Sequence, residues 1–211
     1  MITLLFISLT TPVATALLLM LFRSSLNQSN ARWIACCGSV VAMLFSILLL
    51  MQYRTHFVHP LENGVLPIAS SVDPASAIQP RIEYRQPWLQ TGERMQLEMY
   101  FGLDGISVTM IALTTLLTFC SVLISWEAIK DRTSEFYAAL LILETGLIGV
   151  FCSFDLVLFY VFFEMTLIPL FFLIAIWGGA ERRWAAIKFF LYTLAGSLVT
   201  LSGLIYVVLH V

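Results

Sequence analysis

Two glutamates lie inside long apolar segments, where a carboxyl group is expected to have a chemical role. Glu164 interrupts the run "DLVLFYVFFEMTLIPLFFLIAIWGG", and Glu144 interrupts "LILETGLIGVF". Placing a carboxylate in the middle of a membrane costs about 2.5 kcal/mol or more on insertion scales. Each group is therefore expected either to bind and release a proton in transport, or to stay protonated and hydrogen-bonded as part of the packing. We favour transport, with Glu164 as the first candidate and Glu144 as the second.

The composition supports a membrane setting for these carboxyl groups. Of 211 residues, 60% are hydrophobic and 11% charged, and the net charge is −2. The charged fraction is less than half the roughly 25% of a soluble domain. The chain contains no basic or acidic block, which argues against a nucleic-acid partner and leaves the lipid bilayer as its surroundings. The four cysteines lack metal-ligand spacing, so we predict neither a metal site nor a disulfide framework.

Runs of about 20 apolar residues match the thickness of the bilayer core and predict an all-α membrane protein. About six transmembrane helices are expected, near residues 2–22, 33–52, 103–125, 136–153, 156–177 and 185–209. The first run lacks a basic region and a cleavage site, which favours a retained helix over a signal peptide. The long connection, about 53–101, carries five of the seven prolines and is long enough to cover one face or hold a short surface element.

The basic residues are distributed unevenly between the two ends of these helices. With six spans, both termini share one side, and seven basic residues lie at the opposite end: Arg23, Arg32, Lys130, Arg132, Arg182, Arg183 and Lys188. Four lie in the long loop: Arg54, Arg81, Arg85 and Arg94. The positive-inside rule therefore predicts that both termini face outside.

A three-residue connection, "SFD", places the two glutamates at equal depth. It must join the fourth and fifth helices as an antiparallel pair, and Asp155 is expected to cap the fifth helix. Glu144 and Glu164 each lie about ten residues from this turn, or ~15 Å at 1.5 Å per residue. Whether they face each other depends on helix rotation, which the sequence leaves open.

Other polar or helix-breaking residues surround the two carboxyl groups. Pro169 removes the hydrogen-bond partner of the Met165 carbonyl, which predicts a kink and a hydrated pocket next to Glu164. Lys188 either belongs to an interior relay or extends to the interface, and its depth argues against a direct pair with Glu164.

Small and hydroxylated residues form stripes on two helices. The third helix carries hydroxyls at helical spacing, which either line a wet path or bond their own helix, and we favour the second interpretation: Ser107, Thr114, Thr118, Ser121 and Ser125. The sixth carries small residues typical of close helix packing: Thr193, Gly196, Thr200 and Gly203.

Three motifs resemble a known family: "GLDGIS" (102–107), "GVFCSFDLVLFYVFFEMTLIPLFFLIAIWGG" (149–179) and "AAIKFFLYTLAGS" (185–197). They are similar to the antiporter-like, proton-pumping subunit of respiratory complex I (NADH:quinone oxidoreductase), called subunit 4 in mitochondria and the M-type subunit in bacteria. Related cation/proton antiporter subunits share much of the pattern. The resemblance implies proton translocation coupled to quinone reduction, with Glu164 at the position of the family's essential glutamate. It carries no role over to Glu144.

The same resemblance implies what the chain contains and what it needs from partners. Residues 1–101 would form two N-terminal helices and an outer loop, and residues 102–211 the third helix plus the first three helices of an antiporter-type repeat of five. Family members have about fourteen helices, so we expect an N-terminal fragment or a split-gene product completed by a second polypeptide. The other membrane-arm subunits are the expected partners.

No cofactor is expected in this chain, and the NAD, FMN, iron–sulfur and quinone sites would lie in other subunits. The chain would be part of an enzyme only as a subunit of the complex. We expect a bacterial inner membrane, with a mitochondrial inner membrane as the alternative. A cation/proton antiporter subunit and a non-transporting membrane scaffold remain alternative functions.

Overall fold

The described residues of the computed structural model, 1–24, 27–57, 80, 82–91 and 95–210, contain six long helices and two strands. All six helices are long and apolar enough to cross a membrane. The predicted six-helix architecture is confirmed, with polar turns extending several helices beyond their apolar spans. The helices are α1 (Ile2–Leu21), α2 (Gln28–Phe57), α3 (Gly105–Ala128), α4 (Thr133–Cys152), α5 (Leu156–Trp177) and α6 (Arg182–His210).

A β-hairpin occupies the last part of the long loop. Its strands, β1 (Ile82–Thr91) and β2 (Met95–Leu103), pair antiparallel, with Ile82 opposite Leu103. The register shifts between Pro87 and Leu89, where proline offers no N–H to the ladder. The sequence predicted that this loop could hold a short surface element, and the structure shows that the element is a β-hairpin. Residues 58–79 of the loop, with Arg81 and Arg94, lie outside the described residues.

The hairpin docks on the turn between α4 and α5. The Phe154 N–H donates to the Tyr100 carbonyl at 2.9 Å, and Phe101 forms a bridge with Ser153. The long loop and this turn therefore lie at the same end of the helices, which we call the hairpin end.

The predicted grouping of the short connections at the opposite end, the arginine end, is also seen. Arg32 Nη2 donates to the Ile129 carbonyl at 2.9 Å, and Trp177 Nε1 donates to the Asp131 carbonyl at 3.0 Å. These bonds tie α2 and α5 to the α3–α4 connection. Which end faces the cytoplasm stays a prediction.

Helices α1 to α4 form a closed bundle with an apolar cluster towards each end. The hairpin-end cluster contains Leu5, Leu49, Tyr53, Phe101, Leu103, Val108, Ile111, Ile148, Cys152 and Leu158. The arginine-end cluster contains Ala16, Leu19, Ala31, Ala35, Val122, Tyr137, Ala138 and Leu141. Helix α5 packs on α4, and α6 packs on α5. We call these last two helices the open edge, because only 17% of the most apolar stretch of α5 and 6% of that of α6 is buried.

Candidate functional site

The α4–α5 hairpin positions both glutamates through its short turn. Asp155 Oδ1 accepts a hydrogen bond from the Leu158 N–H at 2.9 Å, which confirms the predicted cap on α5. Both helices run uninterrupted away from this turn. Glu144 and Glu164 therefore lie at similar distances from the hairpin end, near the middle of their helices.

The contact between α4 and α5 is made by two glycines, and it determines where the glutamates point. A Cβ added at Gly146 would lie 2.7 Å from Thr166 Cγ2, and one at Gly149 would lie 2.2 Å from Phe162 Cδ1. These residues therefore mark the touching faces of the two helices.

Neither glutamate lies on the touching face of its helix. At 3.6 residues per turn, two residues rotate the side-chain direction by about 200°. Glu144 lies two residues from Gly146, and Glu164 lies two residues from both Phe162 and Thr166. The two carboxyl groups therefore point away from each other, Glu144 into the closed bundle and Glu164 towards the open edge. This answers the question of rotation that the sequence left open.

Glu144 is completely enclosed. Its side chain has no exposed surface, and neither carboxyl oxygen has a hydrogen-bond partner among the described residues. It lies one turn from Leu141 of the arginine-end cluster and from Ile148 of the hairpin-end cluster. A carboxylate in such a place would be uncompensated, so the group is compatible with the interior only as the neutral acid or with a bound partner.

The region between the two clusters is polar on all four helices of the closed bundle. Ser46 of α2 and Thr115 of α3 join their hydroxyls at 2.6 Å. The fully or almost fully buried residues of this polar layer are Ser8, Ser39, Ser46, Thr115, Glu144 and Thr145. Sequence reasoning missed the Ser46–Thr115 pair, because nothing in the spacing of α2 marks Ser46 as facing α3.

The hydroxyl stripe of α3 follows the interpretation favoured from the sequence. Four of its five members, Thr114, Thr118, Ser121 and Ser125, each donate to a carbonyl of their own helix, at 2.8 to 3.0 Å. These hydroxyls find their hydrogen-bond acceptors within their own helix, as hydroxyls in apolar helices commonly do. The stripe therefore gives no support for a wet path along α3.

Glu164 has different surroundings from Glu144. The Tyr160 hydroxyl lies close to both the Glu164 carboxyl and the Ser197 hydroxyl of α6. Further along the same face of α5, the rings of Phe171 and Phe190 meet at 5.5 Å. Glu164 is half-buried, and its Oε1 has no partner among the described residues. Tyr160 and Ser197 escaped sequence reasoning, although Tyr160 lies one turn before Glu164 and was recognisable from that spacing.

Lys188 and Pro169 lie on other faces than Glu164. Ala186 and Ser197 are buried against α5, and Lys188 is rotated by about 200° from Ala186, so it is exposed on the far side of α6.

Pro169 lies inside an uninterrupted α5, and the cavity beside it is bounded by Ala139 and Ile142 of α4. That cavity is mainly apolar and Glu164 is not among its lining residues, so the hydrated pocket next to Glu164 stays a prediction. A bend at Pro169 stays a prediction.

The small-residue stripe of α6 is uncovered. A Cβ at Gly196 or Gly203 would meet nothing within 4 Å among the described residues. Thr193 is half-buried against α5, whereas Thr200 is exposed. Gly196, Thr200 and Gly203 therefore do not pack on α5, and the close packing expected of them would require a further helix.

The described residues thus define a helical membrane protein with one enclosed and one edge-facing carboxyl group at mid-helix. Residues 153–210, which include Glu164, match a family described as NADH:quinone oxidoreductase/Mrp antiporter, transmembrane.

Relatives and a solved structure agree with this match. The chain is 40% identical over 176 residues to NADH-quinone oxidoreductase subunit M of Rhodobacter capsulatus, covering 83% of this chain and 29% of the relative. It is 46% identical over 112 residues to NADH-ubiquinone oxidoreductase chain 4 of Marchantia polymorpha, covering 53% of this chain and 23% of the relative. A chain in respiratory complex I from Thermus thermophilus with bound NADH superposes on this chain with a TM-score of 0.68 at 26% identity. The match covers 94% of this chain and 34% of the solved one.

These findings confirm the resemblance to the antiporter-like subunits of complex I. This chain is related to subunit M and chain 4 proteins, and it spans well under half of the length of the relatives named.

Proposed function

We propose that this chain is part of a membrane-arm subunit of a proton-translocating NADH:quinone oxidoreductase, in which Glu164 binds and releases a transported proton. One observation carries the proposal: Glu164 lies within the segment 153–210 that matches the family and faces the open edge beside Tyr160 and Ser197. Glu164 is half-buried and its buried Oε1 has no partner among the described residues, which leaves this oxygen for water or a further helix to bond. Intramembrane carboxyl groups in such positions are usually kept for transport.

The hydroxyls around Glu164 suit a group that changes its protonation state. A hydroxyl is both donor and acceptor, so Tyr160 can donate to a carboxylate or accept from a carboxylic acid. Charge movement elsewhere in the complex would then decide whether Glu164 holds its proton. Lys188 faces the other side of α6, so a cation acting on Glu164 would have to come from another part of the assembly. A role for Lys188 further along a relay stays a prediction.

The remaining proposals concern the assembly. Its partners would be other membrane-arm subunits, and a second polypeptide or a longer chain would supply helices beyond α6. The NAD, FMN, iron–sulfur and quinone sites would lie in those other subunits, so this chain takes part in the reaction without a redox site of its own. The complex would lie in a bacterial inner membrane, or in a mitochondrial inner membrane as the alternative.

Glu164→Gln tests the proposal, with Glu144→Gln as the matched control on the neighbouring helix. The amide keeps the size and most hydrogen bonds of the side chain but cannot cycle a proton. We expect Glu164→Gln to reduce quinone-dependent proton translocation at least about tenfold, and Glu144→Gln to have a smaller effect. The measurement is proton uptake by membrane vesicles driven by NADH, with the amount of assembled complex quantified in parallel.

Three outcomes would separate the proposal from its alternatives. Normal proton translocation by a normally assembled Glu164→Gln complex would remove Glu164 from the proton path and leave packing as its role. The matched family also covers Mrp antiporters. Exchange of a cation for protons without any dependence on quinone reduction would favour that class. Indifference of all transport to both substitutions would favour a scaffold.

A further inference from the structure

The arginine end of α4 carries two adjoining cavities of opposite character. One is a polar cavity of about 170 Å³ lined by Arg23, Gln28, Arg132, Thr133, Ser134 and Glu135. The other is an apolar groove of about 310 Å³, whose lining includes Met20, Ala139, Ile142, Ile168, Phe172 and Trp177. Arg132 and Glu135 line both. A ligand that filled them together would need a polar head and an apolar tail.

The polar cavity has the chemistry of an anion site. It lies at the N-terminus of the 20-residue helix α4, and no side chain caps the first amides of this helix. Free amides at a helix N-terminus favour anions, through hydrogen bonds and the helix dipole. Arg23 and Arg132 both pair with Glu135, so the three side chains leave a net positive charge. About half of each arginine side chain remains exposed and can reach a ligand.

Thr133 provides an independent sign that this cavity is built for a ligand. Thr133 is only 3% exposed, and its hydroxyl has no hydrogen-bond partner among the described residues. A buried hydroxyl left without a partner costs about 1–3 kcal/mol. The residue lines the polar cavity beside the free amides. A phosphate oxygen bound there would satisfy the hydroxyl and the amides together.

The apolar groove has the position of an acyl-chain site. It follows α4 from Glu135 to Ile142, about 10 Å along the helix, and its other wall is α5. Since Arg132 and Glu135 line both cavities, a hydrocarbon chain attached to a headgroup in the polar cavity would enter this groove directly.

From this arrangement we propose that the arginine end of α4 binds one anionic phospholipid. The headgroup phosphate occupies the polar cavity, where Arg23, Arg132, the Thr133 hydroxyl and the α4 amides hold it. One acyl chain lies in the apolar groove between α4 and α5. The lipid thereby joins α1, α4 and α5 at the end of the bundle opposite the hairpin.

The test measures lipid retained by the full chain in native mass spectrometry. The purified chain is mixed with phosphatidylglycerol or with phosphatidylcholine of identical acyl chains. We expect retention of one phosphatidylglycerol in preference to phosphatidylcholine. The double substitution Arg23→Gln and Arg132→Asn should weaken this retention at least about tenfold, since it removes two charge-assisted contacts. Asn is chosen because Arg132 has a φ of 52°, which Asn tolerates.

Arg182→Gln with Arg183→Gln is the matched control. These two arginines also line a cavity at the start of a long helix on the arginine end, but no apolar groove residue of α4 or α5 shares it. The control should retain phosphatidylglycerol as the wild type does. Equal loss in both double variants would mean general charge attraction and would overturn the site.

Two further variants test the hydroxyl and the groove separately. Thr133→Val keeps the shape of the side chain and should reduce the preference for phosphatidylglycerol. Ala139→Leu narrows the groove and should reduce retention of the lipid but not of inorganic phosphate. Ile168→Trp does the same from α5, at a more exposed position, in case Ala139→Leu disturbs folding. Helical content measured by circular dichroism checks that each variant is folded.

Other results would refute the lipid assignment. Equal retention of the two lipids by the wild type would remove the anion specificity. Displacement of the lipid by millimolar inorganic phosphate, with no effect of groove filling, would indicate a free-phosphate site instead. Retention by the isolated chain but not by the assembled complex would show that a partner segment covers the groove.

Discussion

The closed bundle and the open edge each carry one carboxyl group at a similar distance from the same turn, yet the two groups have different surroundings. Glu144 has no exposed surface and lies between two apolar clusters. Glu164 is half-buried and lies beside Tyr160 and Ser197 at the open edge. The same residue type at a similar depth is thus fully enclosed in one case and partly exposed in the other.

The glycines of α4 explain this difference. Gly146 and Gly149 let α5 approach so closely that Thr166 and Phe162 occupy the space of their missing side chains. This contact fixes the rotation of both helices and turns each glutamate away from it. Access to a carboxyl group is therefore decided by helix rotation and by what lies on the far side, rather than by depth alone.

The largest expected effect comes from filling the glycine contact. Gly149→Leu should destabilise the chain by about 1–3 kcal/mol or more, because its Cβ alone would overlap the Phe162 ring. A Cβ at Gly196 on the open edge would meet no described atom within 4 Å, so Gly196→Leu should not destabilise the chain and should gain up to about 1 kcal/mol from the better helix propensity of Leu. Unfolding in detergent measures both. Equal effects would contradict the distinction between closed bundle and open edge.

The second effect concerns the enclosure of Glu144. Glu144→Met should raise the free energy of unfolding by about 1–3 kcal/mol, because it removes a buried polar group without partners and keeps a similar volume. Glu164→Met should gain less, because only one of the two Glu164 carboxyl oxygens is buried without a partner, whereas both oxygens of Glu144 are. Thermal unfolding of the two variants in the same detergent makes the comparison. A loss of stability in Glu144→Met would show that its carboxyl group has a partner.

A smaller effect is expected from combining Glu144→Gln with Glu164→Gln. Since the two carboxyl groups point in opposite directions, they should not share a proton, and the free-energy effects of the two substitutions on proton translocation should add within about 0.5 kcal/mol. Vesicle assays of the two single variants and the double variant provide the cycle. A double variant no worse than Glu164→Gln alone would indicate a shared proton.

The smallest effect is expected at the hairpin, outside both regions. Hydrogen bonds from Tyr100 and then Arg85 hold the pKa of Glu83 below its ordinary value. A lowered pKa stabilises the folded hairpin above the unfolded pKa of the group, and that stability is lost as pH falls through the folded pKa. Glu83→Gln should therefore lower the stability of the hairpin slightly at neutral pH, where the wild-type carboxylate is charged, and change little at acidic pH, where the wild-type group is also neutral. Circular dichroism of the chain at both pH values tests this.

Much of the architecture follows from local properties of the sequence. Apolar runs of about 20 residues determine the number and approximate bounds of the helices, because a backbone in lipid must bond within its own segment. The connection "SFD" determines an antiparallel pair, and Asp155 provides the cap that its residue type and place suggest. The basic residues of the short connections lie at one end, as their order along the chain requires.

Helix rotation could not be obtained in the same way. In a soluble helix an apolar stripe marks the inner face, but α5 is apolar nearly all round, and lipid is as apolar as the protein interior. Rotation is set instead by where glycines permit close approach, which depends on the partner helix. For this reason the sequence identified Glu144 and Glu164 as candidates, whereas only the tertiary structure separated an enclosed carboxyl group from an accessible one. The same applies to the lipid site, because Arg23 and Arg132 meet at Glu135 only when α1 packs against α4.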